Sequence, residues 1–89
     1  MRIPKQPRTA IGRRMYALRM RHNLTLRRLG EMCGIKSKTP AQFMMGIESG
    51  HRALSKQMAE KMALVFDVTP ESLLYPERHP LHGDGWNDR

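Results

Sequence analysis

The chain lacks most of the residue combinations on which enzymes and metal sites depend. It has a single cysteine, Cys33, which excludes an internal disulfide and suits a reducing compartment. His79 and His82 are spaced like two metal ligands, but no further His or Cys lies near them in the sequence. No pair of carboxylates and no nucleophile with a neighbouring base is recognisable, and Cys33 lies on the apolar face of a predicted helix. We therefore expect no enzymatic activity, no metal and no cofactor.

Long hydrophobic segments are also absent. No apolar run approaches the length of about 20 residues that a membrane-spanning helix requires. The first residues, MRIPKQPR, carry cations without the apolar segment that follows them in a secretory signal. The hydrophobic content of 39% is ordinary for a soluble domain, whose thin core a partner subunit can help to complete. These features predict a cytoplasmic protein that does not bind a membrane.

Acidic residues are scarce in the first part of the chain. Residues 1–39 contain eleven Lys or Arg and one acidic residue, Glu31, whereas residues 40–89 contain five Lys or Arg and seven acidic residues. The formal net charge is +8 at pH 7. One alternative is that these cations form an ordinary solvated surface. Another is binding to an anionic membrane, but the cations do not lie opposite the broad apolar face that such binding requires. A strongly positive half is more typical of polyphosphate binding, so nucleic acid is the favoured partner.

Apolar spacing and helix-capping residues predict an all-α fold with five short helices and no strand. We interpret residues 1–8 as a flexible basic arm, residues 9–76 as the folded domain, and residues 77–89 as a mostly disordered tail that includes Trp86. The predicted helices begin after these capping residues: Thr9, Thr25, Thr39, Ser55 and Thr69.

Local signals are most detailed in the second and third helices. In the third, TPAQ combines a cap at Thr39, a proline at the first helical position and Gln42 at the capping-box position. The second helix ends at Gly34. Its apolar face is expected to hold four residues: Leu26, Leu29, Met32 and Cys33.

Three segments follow one another in a recognisable order: IGRRMYALRMRHNLTLRRLGEMCGI, IESGHRALS and MALVFDVTPESLL. This order resembles the Xre/Cro, lambda-repressor-like helix-turn-helix family, over Ile11 to Tyr75. The resemblance implies a compact five-helix lambda-repressor-like DNA-binding domain, in which helices 2 and 3 form the helix-turn-helix and helix 3 enters the major groove. Family members are mostly repressors or activators of transcription and commonly bind as symmetric dimers. A homodimer on double-stranded DNA is therefore implied.

The family pattern also assigns phosphate contacts. Thr25 matches a capping Ser or Thr at a helix end whose backbone N–H groups point at a phosphate. The next family position is often a phosphate-binding Gln but is Leu26 here. Arg27 or Arg28 could replace that contact, or both could be ordinary surface charges. Arg52 matches a loop after the third helix that touches the DNA backbone in relatives.

Other matched positions are structural. Arg19 and Glu48 correspond to residues that often form a salt bridge in the family, so we expect them to stabilise the fold rather than to contact DNA. Gly30 stands where the family usually has Ala, in the middle of the second helix. A small residue there lets the third helix approach closely, although Gly costs up to about 1 kcal/mol of helix propensity relative to Ala.

The third helix is expected to follow an enlarged turn, because the interval from Gly34 to Glu48 is longer than in the family. Lys36 and Lys38 lie in this turn, and both are predicted phosphate contacts. At about 100° per residue, one side of the helix faces inward. Its residues are Phe43, Met44 and Ile47.

The opposite side of the third helix carries the residues predicted to contact DNA: Ala41, Gln42, Met45 and Ser49. Gln42 can bind adenine through two hydrogen bonds, and Ala41 and Met45 can touch thymine methyl groups. Ser49 can donate to a phosphate. Ala41 and Met45 could instead fill a protein interface, where adaptable apolar side chains also occur.

Two functions are compatible with the sequence. The first is sequence-specific binding of double-stranded DNA by a transcriptional regulator, most simply a dimeric repressor. The alternative is a protein-interaction module, such as an antitoxin or an anti-repressor, in which DNA binding is secondary. Candidates for the dimer surface are Leu73, Leu74, Tyr75 and the C-terminal tail, because they follow the basic region and carry exposed apolar groups.

Overall fold

The computed structural model describes residues 9–79, which form five α-helices and, within that range, no β-strand. The helices are α1 (Ala10–Arg21), α2 (Leu26–Met32), α3 (Pro40–Ser49), α4 (Lys56–Phe66) and α5 (Pro70–Leu74). The predicted all-α class and the number of helices are confirmed. The interpretations of residues 1–8 and 80–89, including Trp86 and His82, lie outside the described residues.

Four of the five helices begin with a side-chain cap. The side-chain oxygens of Thr9, Thr25, Ser55 and Thr69 each accept a hydrogen bond from the backbone N–H three residues ahead, at 2.9, 3.0, 3.1 and 3.2 Å. Each cap satisfies a donor that has no partner inside the helix, which stabilises a helix by about 1 kcal/mol. These helix starts were therefore predictable from single residues.

The start of α3 differs from its prediction. Thr39 precedes the helix, but its side chain makes no capping hydrogen bond. Its backbone N–H is bonded to Ser37 Oγ at 3.2 Å, so Gln42 does not close the expected capping box. The capping-box prediction is wrong because Ser37 already satisfies the donor that the box would use. Pro40 begins the helix with a fixed φ and without an N–H that needs a partner.

The ends of α1, α2 and α4 share one backbone arrangement. Each has a residue in the left-handed conformation, namely Asn23 (φ 56°), Gly34 (φ 83°) and Asp67 (φ 59°). The next residue then donates its N–H back to the last turn of the helix: Leu24 to Arg19, Ile35 to Gly30 and Val68 to Ala63, at 2.9–3.0 Å. In all three cases that residue is apolar and packs against the core. The turns are thereby anchored at the point where each helix stops.

All five helices contribute to one core, whose largest fully buried side chains are Phe66, Met15, Leu18, Leu29, Met44, Met62 and Leu73. Met32 does not join it, and its side chain is 45% exposed. At 100° per residue, Met32 lies about 80° from the mean direction of Leu29 and Cys33, which are both buried. The buried face of α2 is therefore narrower than the predicted apolar face, because it does not include Met32.

Helices α2 and α3 approach closely at Gly30. A Cβ atom placed on Gly30 would lie 2.8 Å from Pro40 Cβ and 2.9 Å from the Pro40 carbonyl oxygen. Those distances are shorter than van der Waals contact, so even alanine would force the two helices apart. The expectation that a small residue here admits the third helix is confirmed, with Pro40 as the neighbour.

The buried Arg14 joins α1 to α5 and to the segment that follows α5. Its side chain donates to three backbone carbonyl groups: those of Ser72 at 2.7 Å, His79 at 3.0 Å and Pro76 at 3.1 Å. Arg14 is only 7% exposed. These charge-assisted hydrogen bonds offset the cost of burying a cation. The spacing of apolar residues along α1 does not by itself indicate that Arg14 is buried.

The expected dimer surface after α5 is also altered by burial. Leu73 is 0% exposed because it packs into the core, so it cannot contribute to a dimer surface. Leu74 is partly buried, and Tyr75 is half exposed with the Arg78 guanidinium 5.7 Å from its ring centre. Tyr75 is thus the one of the three proposed residues that offers substantial apolar surface.

Candidate nucleic-acid interface

The residues predicted to contact DNA lie on α2 and at its N-terminal cap, on α3, and in the two turns that flank α3. We call them the candidate interface: Thr25, Arg27, Arg28, Lys36, Lys38, Ala41, Gln42, Met45, Ser49 and Arg52. The contact between Gly30 and Pro40 holds α2 directly against the start of α3. The candidate interface is therefore built on two helices whose relative position is sterically defined.

An ion pair between Arg19 and Glu48 holds the second half of α3 against α1. Arg19 Nη2 lies 3.0 Å from Glu48 Oε1, and Arg19 Nε lies 3.1 Å from Oε2. Arg19 Nη1 also donates to the Leu24 carbonyl at 3.0 Å. The two side chains are only 10% and 11% exposed, so this is a buried, two-point pair. It is the pair that the family resemblance implied, and it leaves Arg19 committed to the fold.

Helix α3 is anchored by its inner side. Met44 and Ile47 are 0% and 2% exposed, as periodicity predicts. Phe43 is only half-buried and packs at the edge of the core. The helix is thereby fixed in rotation, which determines which of its side chains remain at the surface.

The outer side of α3 presents a polar and an apolar group together. Gln42 is exposed, and its amide has no hydrogen-bond partner among residues 9–79. Met45 is half exposed, while Ala41 is partly covered. An unbonded carboxamide offers both donors and acceptors, as recognition of an adenine edge requires. The predicted exposure is confirmed for Gln42 and Met45, and it is only partial for Ala41.

Ser49 is already engaged in local hydrogen bonding. Its Oγ donates to the Gly46 carbonyl at 3.3 Å and lies 2.8 Å from Nδ1 of His51. A phosphate contact from Ser49 would have to replace one of these interactions. The predicted role of Ser49 therefore requires a local rearrangement, which Gln42 does not need.

Arg27 and Arg28 share one carboxylate on the exposed side of α2. Arg27 Nε lies 3.2 Å from Glu31 Oε2, and Arg28 Nη1 lies 3.5 Å from Oε1. The two arginine side chains are 76% and 62% exposed, so these pairs contribute little stability. Both guanidinium groups remain accessible to a phosphate, which would compete with Glu31. Thr25 caps the same helix by accepting from the Arg28 N–H.

Lys36 and Lys38 are exposed in the turn between α2 and α3. Ile35 anchors the start of this turn in the core, and no carboxylate within residues 9–79 pairs with either lysine. Their charges are therefore fully available beside the N-terminal end of α3. The turn that contains them runs from the end of α2 at Met32 to the start of α3 at Pro40.

Arg52 lies just after α3 and folds back over it. Its guanidinium carbon is 4.3 Å from the centre of the Phe43 ring, and its backbone N–H donates to the Gly46 carbonyl at 2.9 Å. The family resemblance predicts that Arg52 contacts a phosphate, but it does not predict that Arg52 stacks on Phe43. The stack depends on the path of the turn after α3, which the sequence pattern does not indicate.

Cys33 has the properties of a core residue. It is 3% exposed, and burial raises the pKa of its thiol to about 11. A thiol with this pKa is not ionised near neutral pH and is a poor nucleophile or metal ligand. Within residues 9–79, no three His, Cys, Asp or Glu side chains are grouped so that they could hold a metal ion.

Across the described part of the chain, every helix is too short or too polar to span a membrane. Comparisons with protein-family models, curated proteins and solved structures find no match to this chain. The likeness to the Xre/Cro family is therefore carried by the sequence motifs alone.

Proposed function

We propose that this protein is a sequence-specific, double-stranded DNA-binding transcriptional regulator of the Xre/Cro type. One observation carries the proposal most directly. Helix α3 is fixed to the fold by its buried side and by Glu48, while its exposed side presents Gln42 and Met45 between cations in both flanking turns. A rigid helix with a free carboxamide and positive charge at each end is suited to the major groove.

In this proposal α2 and α3 are the two helices of a lambda-repressor-like helix-turn-helix. Helix α3 contains ten residues and is about 15 Å long, enough to lie along several base pairs. Gln42 contacts adenine, and Ala41 and Met45 contact thymine methyl groups.

The phosphate contacts come from residues on both sides of α3. Lys36 and Lys38 precede it, Ser49 and Arg52 lie at its end, and the start of α2 supplies a further group: Thr25, Arg27 and Arg28. Phosphate contacts set the position of the protein on the duplex, whereas the contacts of α3 distinguish sequences.

The proposal includes a homodimer that acts as a repressor in the cytoplasm and has no catalytic role. A dimer would place two copies of α3 in successive major grooves on one side of the DNA. Tyr75 supports a role for the region after α5 in dimerisation, because its side chain is half exposed.

Selection of bound fragments from a random pool of double-stranded DNA tests the proposal. A palindromic motif with half-sites about one helical turn apart is the expected product. Dissociation constants for that motif are then measured at two or more salt concentrations. If about six phosphates are neutralised, a plot of log K against log salt has a slope of about −5. Failure to enrich any motif, or affinity that does not change with salt, would contradict the proposal.

A protein-interaction module is the second candidate, favoured by exposed apolar side chains. Leu64 on α4 is 85% exposed, and Met20, Met32 and Met45 are each at least 45% exposed. Adaptable methionines of this kind suit a protein surface such as that of a toxin or a repressor. A stable 1:1 complex recovered from cells, together with no enriched DNA motif, would favour this function. An antitoxin that also represses its own operon satisfies both proposals.

A further inference from the structure

The path of the Arg52 side chain along α3 is defined by two residues of that helix. The Arg52 backbone is tied to the Gly46 carbonyl, and its guanidinium carbon reaches a point 4.3 Å from the Phe43 ring centre. A Cβ atom on Gly46 would lie 3.4 Å from Arg52 Cβ and 3.7 Å from its Nε. The side chain thus passes directly over Gly46 to reach the ring.

Stacking on Phe43 restricts the guanidinium without using its hydrogen-bond donors. The distance is within the range of a cation–π interaction, and Arg suits such stacking because its charged group is planar. No acceptor among residues 9–79 binds a side-chain N–H of Arg52. Arg52 is therefore an exposed cation whose side chain is held in place while its donors have no acceptor among residues 9–79. Such a cation is ready to bind an acceptor outside the protein.

The other cations of the candidate interface are held differently. Arg27 and Arg28 must leave Glu31 before their paired donors can bind phosphate. Lys36 and Lys38 have no such competitor, but a lysine is a point charge on a flexible chain. Arg52 differs from both, because no carboxylate among residues 9–79 pairs with it and its side chain is restricted by the stack on Phe43.

From this geometry we infer that Phe43 and Gly46 are positioning residues, which hold the Arg52 guanidinium ready to bind one phosphate of the DNA backbone. This inference rests on the proposed DNA-binding function. Phe43 acts through its ring face, and Gly46 acts by leaving the path of Arg52 clear of any side chain longer than a methyl group. Neither residue touches DNA in this mechanism, so their effects on affinity depend entirely on Arg52.

A double-mutant cycle tests the role of Phe43. The variants are Phe43→Leu, Arg52→Ala and the two combined, and Phe43→Tyr is the conservative control. Affinity is measured by fluorescence anisotropy on the selected duplex and on an unrelated duplex, each at several salt concentrations. Thermal melting of each variant shows how much of the protein is folded.

Arg52→Ala is expected to weaken binding to both duplexes about tenfold and to reduce the salt slope by about 1. Phe43→Leu should produce a smaller loss, about threefold, and no further loss in the protein that already carries Arg52→Ala. Phe43→Tyr should bind as the unmodified protein does, because it keeps the ring. A purely structural role for Phe43 would weaken both backgrounds equally, and that result overturns the inference.

Substitutions at Gly46 provide a test that does not change the ring. Gly46→Ala fits at ordinary contact distance from Arg52 and should preserve DNA affinity. Gly46→Leu extends into the path of Arg52 and should weaken binding about as much as Phe43→Leu, again only while Arg52 is present. Equal affinity of the two Gly46 variants would overturn the role of Gly46.

The outcomes separate this inference from the function on which it rests. If the unmodified protein binds no duplex in a salt-dependent manner, both are overturned. If it binds DNA but the losses at Phe43 and Arg52 simply add, only the positioning role is overturned. If Arg52→Ala weakens binding only to duplexes with a guanine at one position, the assignment to phosphate is overturned.

Discussion

Arg14 and Arg19 lie inside the protein, whereas Arg27, Arg28 and Arg52 lie on its surface. The guanidinium has a different role in the buried arginines and in the exposed ones. The buried pair donate to carbonyl oxygens and to a carboxylate at 2.7–3.1 Å, which holds α1 against α3, α5 and the segment after α5. The surface group keeps most of its donors available to solvent. Formal charge therefore overstates the charge that a partner of this protein can use.

The distinction has a thermodynamic basis. A buried arginine contributes only while its acceptors remain in place, because an unpaired charge in the interior is strongly destabilising. An exposed arginine contributes little to stability but loses little when it changes partner. Substitutions in the first group should therefore change the free energy of unfolding, and those in the second should change DNA affinity.

The largest expected effect is that of Arg19→Ala. It leaves Glu48 buried without its partner, so we expect the free energy of unfolding to fall by about 3–5 kcal/mol. Urea denaturation followed by circular dichroism measures this change. The matched control is Arg19→Met combined with Glu48→Leu, which removes both charges and should cost less than Arg19→Ala. Equal losses would show that packing rather than charge pairing is responsible.

Arg14→Ala should have the next largest effect. It removes hydrogen bonds to three carbonyl groups, and we expect the free energy of unfolding to fall by about 2–3 kcal/mol. The same denaturation measurement applies, with Arg27→Ala as the control, because that side chain is 76% exposed. A loss at Arg27 as large as that at Arg14 would remove the distinction between buried and exposed arginines.

Gln42→Ala addresses sequence recognition on the exposed side of α3. It should remove about 1–3 kcal/mol of discrimination at one base pair, while the affinity for unrelated duplexes stays the same. Lys36→Ala and Lys38→Ala are the matched comparison, since each should weaken binding to all duplexes and reduce the salt slope by about 1. Binding to the selected duplex and to single-base variants measures both effects. Uniform weakening by Gln42→Ala would contradict direct contact with a base.

Glu31→Gln should have the smallest effect, and it is expected to strengthen binding. Removal of the carboxylate frees Arg27 and Arg28 for phosphate, so affinity for every duplex should rise about twofold to fivefold. Salt titration of the dissociation constant measures the gain. Glu60→Gln, which changes an exposed carboxylate on α4 outside the candidate interface, should leave affinity unchanged. An equal gain from both variants would indicate a general effect of net charge.

Interactions between residues close in the sequence were predictable, whereas those between distant residues were not. Helix starts at Thr9, Thr25, Ser55 and Thr69 were predictable because a cap and its target are three residues apart. Thr39 makes no side-chain cap, and its backbone N–H donates to Ser37, two residues earlier, rather than to Gln42.

Contacts between distant segments were much harder to anticipate. Nothing near Arg14 in the sequence indicates an acceptor 58 residues away. The pair of Arg19 and Glu48 was expected only because the family resemblance supplied it. The stack of Arg52 on Phe43 depends on the turn after α3, whose path periodicity does not describe.

The sequence by itself determined the helical class, four capped helix starts, the side of α3 that remains exposed and the excess of positive charge in the first half. These properties arise from neighbouring residues or from composition. Tertiary structure alone decided which arginines are buried and bonded within the protein and which remain exposed to a partner. The reason is physical, because the state of a guanidinium depends on acceptors and burial that distant segments provide.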